Sequence, residues 1–286
     1  MVEEKLDLSA RRLLRELGLR PSKGLGQNFL VDRSVPPQIL EAANLSSEDS
    51  VVEIGPGVGV LTLPMARLVQ QLTAVELDRR LYPYLQAALA PFPGAKLVEG
   101  DALEFDPADL APMPYKLVAN IPYYITSAIL RHFLESDHRP SRLVLMVQKE
   151  VAQRIVAQPP DMSLLAVSVQ FYGQPKIWAT VSASAFFPLP KVDSAILLIE
   201  TFAPQYDQSS DLPKRPCPDV ESARFFEIVR AGFSQKRKQL VNSLASGLHQ
   251  DKALIQQALE KAGLESTRRA ESLSLIEWSQ LYPHLT

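Results

Sequence analysis

The sequence predicts an α/β fold with a mostly parallel, Rossmann-like sheet and a smaller all-α domain at its C-terminal end. Short apolar runs alternate with amphipathic helical patterns, and the first strong run leads into a glycine-rich turn. Three or four helical patterns then follow one another at the end of the chain. We expect the large domain over 1–203, a proline-rich linker over 204–219 and the helical domain over 220–286.

Composition restricts the class of protein. The chain has 286 residues, of which 46% are hydrophobic and 22% charged, as expected of a globular protein with one large and one small domain. A single cysteine, Cys217, excludes an internal disulfide, and four scattered histidines give no reason to expect a metal site. The sequence shows no targeting pattern and no apolar run of membrane-spanning length, so we expect a cytoplasmic protein without membrane contact.

The net charge of −2 argues against generic nucleic-acid binding, which typically requires a strongly basic surface. Any contact with nucleic acid must therefore depend on local basic clusters. Two are present: Arg11, Arg12, Arg15, Arg20 and Lys23 near the start, and Arg230, Lys236, Arg237 and Lys238 in the helical region. Each cluster fits either a contact with RNA phosphates or a solvated helix face.

The first elements precede the sheet. A helical pattern over 9–17 is followed by a loop with two glycines over 21–30. The end of this loop, 28–30, is placed to fold over a ligand as a lid, although a plain connecting loop is the alternative. We expect Asp32 to cap the next helix, over 35–43.

The first strand of the sheet, over 51–54, leads into a glycine turn over 55–59. The dinucleotide fingerprint Gly-x-Gly-x-x-Gly needs its third glycine one residue later than this chain has it. Glu53 also places a carboxylate at the strand end, next to where a pyrophosphate would lie. The turn therefore disfavours NAD and favours a ligand without phosphate, which we expect Gly55 and Gly57 to contact.

The next two strands, over 72–76 and 96–99, are also followed by acidic groups. Glu76 lies about 20 residues after the first glycine, where a carboxylate accepts hydrogen bonds from a ribose diol. Asp101 is placed to accept an adenine amino group. Each acid has an alternative reading as a helix cap or surface charge. Polar groups at successive strand ends on one edge of a parallel sheet nevertheless favour a nucleoside site.

The fourth strand, over 115–119, leads into a loop that suits a flat ring bearing an amine. Oδ1 of Asn120 and the carbonyl of Ile121, held extended by Pro122, can accept both N–H groups of an exocyclic amine and localise its lone pair on nitrogen. Tyr123 can stack on the base. The alternative is a loop that only ends the strand, with tyrosines in the core.

A nucleoside site without phosphate, next to a site for a methylatable amine, points to S-adenosylmethionine as the cofactor. Downstream, we expect strands over 141–148, 176–183 and 195–200, of which the last two form an antiparallel hairpin that closes the sheet. Residues 164–171 fit either a helix or a strand. Phe186, in the proline-rich loop of the hairpin, is expected to form the second face of a base sandwich or else to be a core aromatic.

Seven segments in this order resemble the ribosomal RNA adenine dimethyltransferase family. They are Gly-Gln-Asn-Phe-Leu (26–30), Glu-Ile-Gly-Pro-Gly-Val-Gly (53–59), Glu-Leu-Asp (76–78), Gly-Asp-Ala (100–102), Asn-Ile-Pro-Tyr-Tyr (120–124), Phe-Phe-Pro-Leu-Pro-Lys-Val-Asp-Ser (186–194) and Ala-Gly-Phe-Ser-Gln-Lys-Arg-Lys-Gln-Leu (231–240). The resemblance covers nearly the whole chain. The last segment is similar to the small-subunit branch of the family.

The resemblance implies which residues contact the cofactor: Asn28, Leu30, Gly55, Glu76, Asp101 and Asn120. Leu30 is assigned by the resemblance alone. This chain departs from the family pattern in having Ile121 where leucine is usual, which should be harmless because only its carbonyl acts. It also has Phe187 where a small or polar residue is common, and the motif register favours Phe186 over Phe187 as the stacking ring.

The resemblance also implies the activity. It is the transfer of methyl groups from S-adenosylmethionine to N6 of two adjacent adenosines near the 3′ end of small-subunit rRNA, within an assembling ribosomal subunit. We expect a monomer that does not act on DNA. Two alternatives are a large-subunit rRNA adenine methyltransferase of the macrolide-resistance type and a ribosome-assembly factor that binds without catalysis.

Overall fold

The structure is a computed structural model that describes residues 10–202, 216 and 220–285. The chain forms two compact units: the first takes in residues up to Ala152 together with Lys176–Thr201, and the second takes in Gln153–Pro175 and the chain from Phe202 onward. The predicted domain over 1–203 includes 153–175, which the structure assigns to the second unit. The expected linker over 204–219 lies outside the described residues except for Pro216.

A seven-stranded sheet forms the first unit, as the sequence predicts. The strands are β1 (Phe29–Leu30), β2 (Ser50–Ile54), β3 (Gln71–Glu76), β4 (Ala95–Glu99), β5 (Tyr115–Asn120), β6 (Arg142–Gln148), β7 (Gly173–Val181), β8 (Phe186–Phe187) and β9 (Ser194–Thr201). Their order in the large sheet is β4-β3-β2-β5-β6-β9-β7. Strands β2 to β6 are parallel and β9 is antiparallel to β6, which confirms the predicted fold class.

The helices that begin in the first unit are α1 (Ala10–Glu16), α2 (Val35–Ala43), α3 (Thr62–Leu68), α4 (Tyr82–Leu89), α5 (Pro107–Leu110), α6 (Thr126–Leu134) and α7 (Lys149–Ile155). The expectation that Asp32 caps α2 is wrong. The N-cap residue is Ser34, and the Asp32 carboxylate accepts hydrogen bonds from the Ser34 N–H and Oγ instead of from a helical N–H. Prolines fit the first turn of α2 because its N–H groups need no helical partner.

The centre of the sheet is apolar on both faces. In β5, Leu117, Val118 and Ala119 are each fully buried, as expected for a parallel strand covered by helices. The parallel register pairs Ile54 with both Val75 and Ala119, so β2, β3 and β5 end at the same edge of the sheet. The turns that follow these strands therefore meet, as their sequences predict.

The second unit is helical and contains α8 (Leu164–Tyr172), α9 (Ser222–Phe233), α10 (Leu240–Leu248), α11 (Lys252–Lys261) and α12 (Leu275–Leu281). The segment that fitted helix or strand is the helix α8, whose N-cap Ser163 accepts from the Ala166 N–H. Phe171 of α8 stacks on Phe225 of α9, with ring centroids 4.8 Å apart. This aromatic packing explains why 153–175 belong to the helical unit.

Two further observations concern the helices. The helix α10 begins at Leu240, which leaves Lys236, Arg237 and Lys238 in the turn between α9 and α10. Among the helices that the structure describes, none is both long and apolar enough to cross a membrane.

Candidate active site

A cleft lies at the carboxyl ends of β2, β3, β4 and β5. Every residue expected to contact the cofactor lines it: Asn28, Leu30, Gly55, Gly57, Glu76, Asp101 and Asn120. Ile121, Pro122 and Tyr123 line the same cleft. The structure thus brings together residues that are up to 95 positions apart in the chain, with Phe186 as the exception among the residues expected to bind the cofactor or the target base.

The glycine turn is closed by a carboxylate from the neighbouring strand. Gly57 has φ of +58°, and its N–H donates to Oε2 of Glu76 at 2.9 Å. A Cβ atom at this position would lie 3.2 Å from Cε1 of Phe29. Both the backbone conformation and the available space therefore require glycine at 57.

Glu76 is only 5% exposed. Its Oε1 accepts from the Asp78 N–H at 2.8 Å, while Oε2 accepts from Gly57. Burial raises the pKa of the Glu76 carboxyl, and the two backbone N–H groups partly oppose that rise. Each oxygen keeps a second lone pair, so the carboxylate can fix the turn and still accept from a ligand hydroxyl.

The loop before β1 is anchored to the same strand end. Nε2 of Gln27 donates to Oδ2 of Asp78 at 2.8 Å, and Oε1 of Gln27 accepts from the Ser22 N–H at 2.9 Å. Asp78 is in turn paired with Arg80 at 2.7 Å. Sequence reasoning missed this network because its members are 51 positions apart, and only the pairing of their polar groups in the fold shows it.

The segment expected to act as a lid is built into a small sheet. Phe29 and Leu30 form β1, which pairs antiparallel with β8 in the register Phe29↔Phe187 and Leu30↔Phe186. Leu30 is 4% exposed and lines the cleft. In this arrangement β1 is a wall of the cleft, held by backbone hydrogen bonds to a strand more than 150 positions later.

Asn120 ends β5 and faces the loop before β1. Its Nδ2 donates to the main-chain carbonyl of Asn28 at 3.4 Å, and Nδ2 of Asn28 donates to the Gly26 carbonyl at 3.2 Å. Because the amide nitrogen of Asn120 is directed at a carbonyl, its Oδ1 remains the group that can accept from a ligand. The side chain is half-buried, which leaves that oxygen within the cleft.

Tyr123 begins a 3₁₀ turn over Tyr123–Ile125 and is half-buried. Its hydroxyl lies 2.6 Å from Oγ of Ser194, which is fully buried at the start of β9. Burial raises the pKa of the Tyr123 hydroxyl. The ring is therefore fixed at its far end and is oriented by the sheet, as a stacking surface for a base requires.

The expectation that Phe186 is the second stacking ring does not fit this arrangement. Phe186 is 4% exposed, packs in a core cluster with Leu30, Val35 and Ile39, and does not line the cleft. Phe187 is half-buried, with the Arg11 guanidinium 4.5 Å from its ring centroid. Phe186 is therefore a core aromatic, the alternative that the sequence left open.

Glu53 and Asp101 are the remaining acids of the cleft. Burial raises the pKa of Glu53 to about 8, and its Oε2 has no hydrogen-bond partner in the described part of the chain. A carboxyl with this pKa is mostly neutral at pH 7, so its charge is a weaker argument against a phosphate ligand than the sequence suggested. Asp101 is half-buried, and its Oδ1 accepts from the Leu103 N–H at 3.0 Å.

The basic residues expected to bind RNA are all exposed: Arg11, Arg12, Arg15 and Lys23 in the first unit, and Arg230, Lys236, Arg237 and Lys238 in the second. Arg12 forms an exposed ion pair with Glu16 at 3.1 Å. Such a pair is weak and leaves the guanidinium able to exchange partners. Within the described residues, no group of three or more His, Cys, Asp or Glu side chains is placed to hold a metal ion.

A mostly parallel sheet with an antiparallel end, and a cleft of this composition at its carboxyl edge, define a Rossmann-like methyltransferase. Two solved structures resemble the chain over most of its length. The crystal structure of the 23S rRNA methyltransferase ErmE is 29% identical, with a TM-score of 0.70, over 90% of this chain and 99% of that one. A dimethyladenosine transferase from Plasmodium falciparum is 25% identical, with a TM-score of 0.73, over 88% and 95%.

The chain belongs to the ribosomal RNA adenine dimethylase family, whose model matches residues 19–281. Curated relatives are named ribosomal RNA small subunit methyltransferase A. The relative from Dehalococcoides mccartyi is 44% identical over 95% of this chain and 91% of its own length. Those from Moorella thermoacetica and Clostridium perfringens are 41% and 38% identical, over 94% and 98% of this chain and 94% and 96% of their own lengths.

Proposed function

We propose that this protein transfers methyl groups from S-adenosylmethionine to N6 of two adjacent adenosines near the 3′ end of small-subunit rRNA, giving dimethyladenosines. The observation that carries the proposal is Asn120, whose amide nitrogen is directed at the Asn28 carbonyl so that Oδ1 is left for a substrate amine. The names of the relatives at 38–44% identity support the small subunit as the source of the substrate.

The residues that line the cleft fit S-adenosylmethionine as the cofactor. Glu76 offers carboxylate lone pairs to a ribose diol, and Asp101 offers an oxygen to an adenine amino group. Gly55 and Gly57 keep the turn close enough for backbone contact, while Asn28 and Leu30 form the opposite wall. Glu53 contributes a buried carboxyl oxygen with no partner among the described residues, which suits a hydrogen-bonding group of the ligand.

When bound, S-adenosylmethionine supplies a methyl group on a positively charged sulfonium, which is already a strong electrophile. Oδ1 of Asn120 and the carbonyl of Ile121 accept hydrogen bonds from the two N–H groups of N6, and these bonds localise the lone pair on that nitrogen. Tyr123 holds the adenine ring by stacking. The methylated nitrogen is acidic, so its proton passes to water and no protein base is required. A second transfer to the same nitrogen gives the dimethyl product.

For RNA binding, we propose that the two basic clusters contact phosphates and set the register of the substrate without reading its sequence. The adenine must leave its stack to reach a cleft of this kind, so the substrate is a loop or a flipped nucleotide. We further propose that the protein is a cytoplasmic monomer that acts on an assembling small subunit. The helical domain over 220–286 then serves as the second RNA-binding domain.

One rival is methylation of large-subunit rRNA, which the likeness to a 23S rRNA methyltransferase at 29% identity supports. The other is a binding factor without catalysis. To separate the three, we would incubate the protein and labelled S-adenosylmethionine with small and large subunits that lack adenine methylation. Label in small subunits alone supports the proposal. Label in large subunits favours the first rival, and binding to small subunits without label favours the second.

A further inference from the structure

Two consecutive tyrosines of the cleft have different surroundings. Tyr123 is half-buried and its hydroxyl is bonded to Ser194. Tyr124 lines the same cleft but is 65% exposed, and its hydroxyl has no hydrogen-bond partner among the residues that the structure describes. The mechanism described above uses only the first of these rings, so the second has no assigned role.

The Tyr124 ring is held along one edge. A Cβ atom at Gly26 would lie 2.9 Å from Cε1 and 3.1 Å from Cδ1 of this ring, so the ring edge rests directly on the Gly26 backbone. Gly26 has φ of +59°, and the adjacent Gln27 ties the loop to Asp78. The ring is therefore supported by an anchored loop, while most of its surface faces solvent.

Tyr124 also differs in chemical type from the other exposed hydrophobic side chains. The other large hydrophobic side chains that are exposed in the described parts of the chain are all aliphatic: Leu68, Leu77, Met113, Leu189, Leu254 and Ile276. An exposed, supported aromatic ring next to a nucleobase site is a typical stacking surface for a neighbouring base. Scattered aliphatic side chains need no such explanation.

We propose that Tyr124 is the stacking platform for the nucleotide next to the target adenosine. The inference rests on the proposed adenine methylation. Tyr123 and Tyr124 are consecutive residues of one 3₁₀ turn, so a base that stacks on Tyr123 brings the adjacent nucleotide close to the Tyr124 ring. When the target adenine leaves its stack, the next base loses a stacking partner, which the Tyr124 ring replaces.

Stacking on Tyr124 favours one type of neighbouring base over another without base-specific hydrogen bonds. Purines stack more strongly than pyrimidines, so a Tyr124 platform favours a target whose neighbour is also an adenosine. Either of two adjacent adenosines can then be the neighbour of the other. Loss of a base–aromatic stack typically weakens binding about 5- to 150-fold, and the effect falls on substrate binding, because the methyl acceptor remains held by Asn120 and Tyr123.

The test compares Tyr124→Leu with Tyr124→Phe and Tyr124→Trp on reconstituted small subunits. Each of the two adjacent adenosines is replaced in turn by guanosine or by uridine, so that one methyl acceptor remains with a purine or a pyrimidine neighbour. We expect the wild type to show a KM several-fold higher with the uridine neighbour. Tyr124→Leu should raise KM about tenfold on the unaltered subunit and remove the difference between neighbours. Phe and Trp should preserve wild-type behaviour.

Two controls isolate the effect. Leu68→Ala removes another exposed apolar side chain, 48% exposed and outside the cleft, and should leave KM unchanged. Affinity for S-adenosylmethionine, measured by calorimetry, should be the same in all Tyr124 variants and shows that the cleft is intact. An unchanged KM in Tyr124→Leu, or a preference for the purine neighbour that persists in that variant, overturns the inference. Absence of methyl transfer by the wild type contradicts the proposed function itself.

Discussion

The side-chain nitrogen of Asn120 donates to the main-chain carbonyl of Asn28 across 3.4 Å, although the two residues are 92 positions apart. This bond ties the end of β5 to the loop that forms the opposite wall of the cleft. It also fixes the direction of the Asn120 amide, since the nitrogen is used by the protein and the oxygen is not. Orientation of one acceptor is thus built into the fold before any ligand arrives.

Replacement of Asn120 tests that orientation. We expect Asn120→Ala to lower kcat about 10²- to 10³-fold, as loss of one preorganised electrostatic group typically does. Asn120→Asp keeps an acceptor but loses the donor to Asn28, so its kcat should fall as well, while small-subunit binding is retained. Single-turnover methyl transfer and filter binding give the two quantities. Wild-type turnover in Asn120→Ala would contradict the assigned role.

Glu53 makes the stability of the protein depend on pH. Burial raises its pKa from 4.5 to about 8, so between these values the unfolded chain releases a proton that the folded chain keeps. The contribution of Glu53 is therefore least unfavourable below pH 4.5, and stability is lost as pH rises towards 8, by roughly 5 kcal/mol at most.

Glu53→Gln removes this titration. We expect the free energy of unfolding of the variant, relative to wild type, to increase between pH 5 and pH 8, because only the wild type carries the proton-linked cost. Urea denaturation at the two pH values measures the change, and any cost of the buried amide that does not depend on pH cancels in the comparison. Parallel pH profiles for the two proteins would show that Glu53 does not titrate in this range.

Gly57→Ala tests the glycine turn. A Cβ atom there would lie 3.2 Å from the Phe29 ring. In addition, a backbone φ of +58° costs a residue with a side chain about 1–2 kcal/mol of strain. We expect affinity for S-adenosylmethionine to fall about tenfold or more, since relief of the strain moves the turn away from Glu76. Calorimetry provides the measurement. Gly18→Ala is the matched control, because Gly18 has φ of +66° and no atom within 4 Å of its Cβ position.

We expect the turn between α9 and α10 to bind RNA phosphates through its positive charge. Combined replacement of Lys236, Arg237 and Lys238 by alanine removes three exposed cations. The slope of log KM against log salt should decrease by about 2, the value for three contacts with single-stranded phosphates, with little change in kcat at saturating substrate. Replacement of Lys252 and Lys261, exposed on α11, is the control. An unchanged salt slope would remove this turn from the RNA-binding surface.

Sequence reasoning reached much of the fold because the relevant signals are local. The buried strand β2, the glycine turn at 55–59 and the acid at Glu76 each follow from a short run of residues, and the parallel register then brings them to one edge. The expected site residues of these turns all line the cleft. Patterns within one element were sufficient here.

Features that depend on distant pairing were not predictable in the same way. Phe186 and Phe187 have similar chemistry, and only the packing of the folded chain shows that Phe186 is the ring that enters the core. The bond from Gln27 to Asp78 has no signature in either segment. The domain boundary was misplaced because α8 carries an apolar face that reads equally well as a strand, until its packing on Phe225 is seen.

The identity and position of the modified nucleotide test the proposed activity most directly. Small subunits that lack adenine methylation are incubated with the protein and S-adenosylmethionine, and the rRNA is digested and analysed by mass spectrometry, with Asn120→Ala in parallel. We expect dimethyladenosine at two adjacent positions near the 3′ end, formed about 10²- to 10³-fold more slowly by Asn120→Ala than by the wild type. Methylation of any other nucleotide, or equal product from Asn120→Ala, would contradict the proposal.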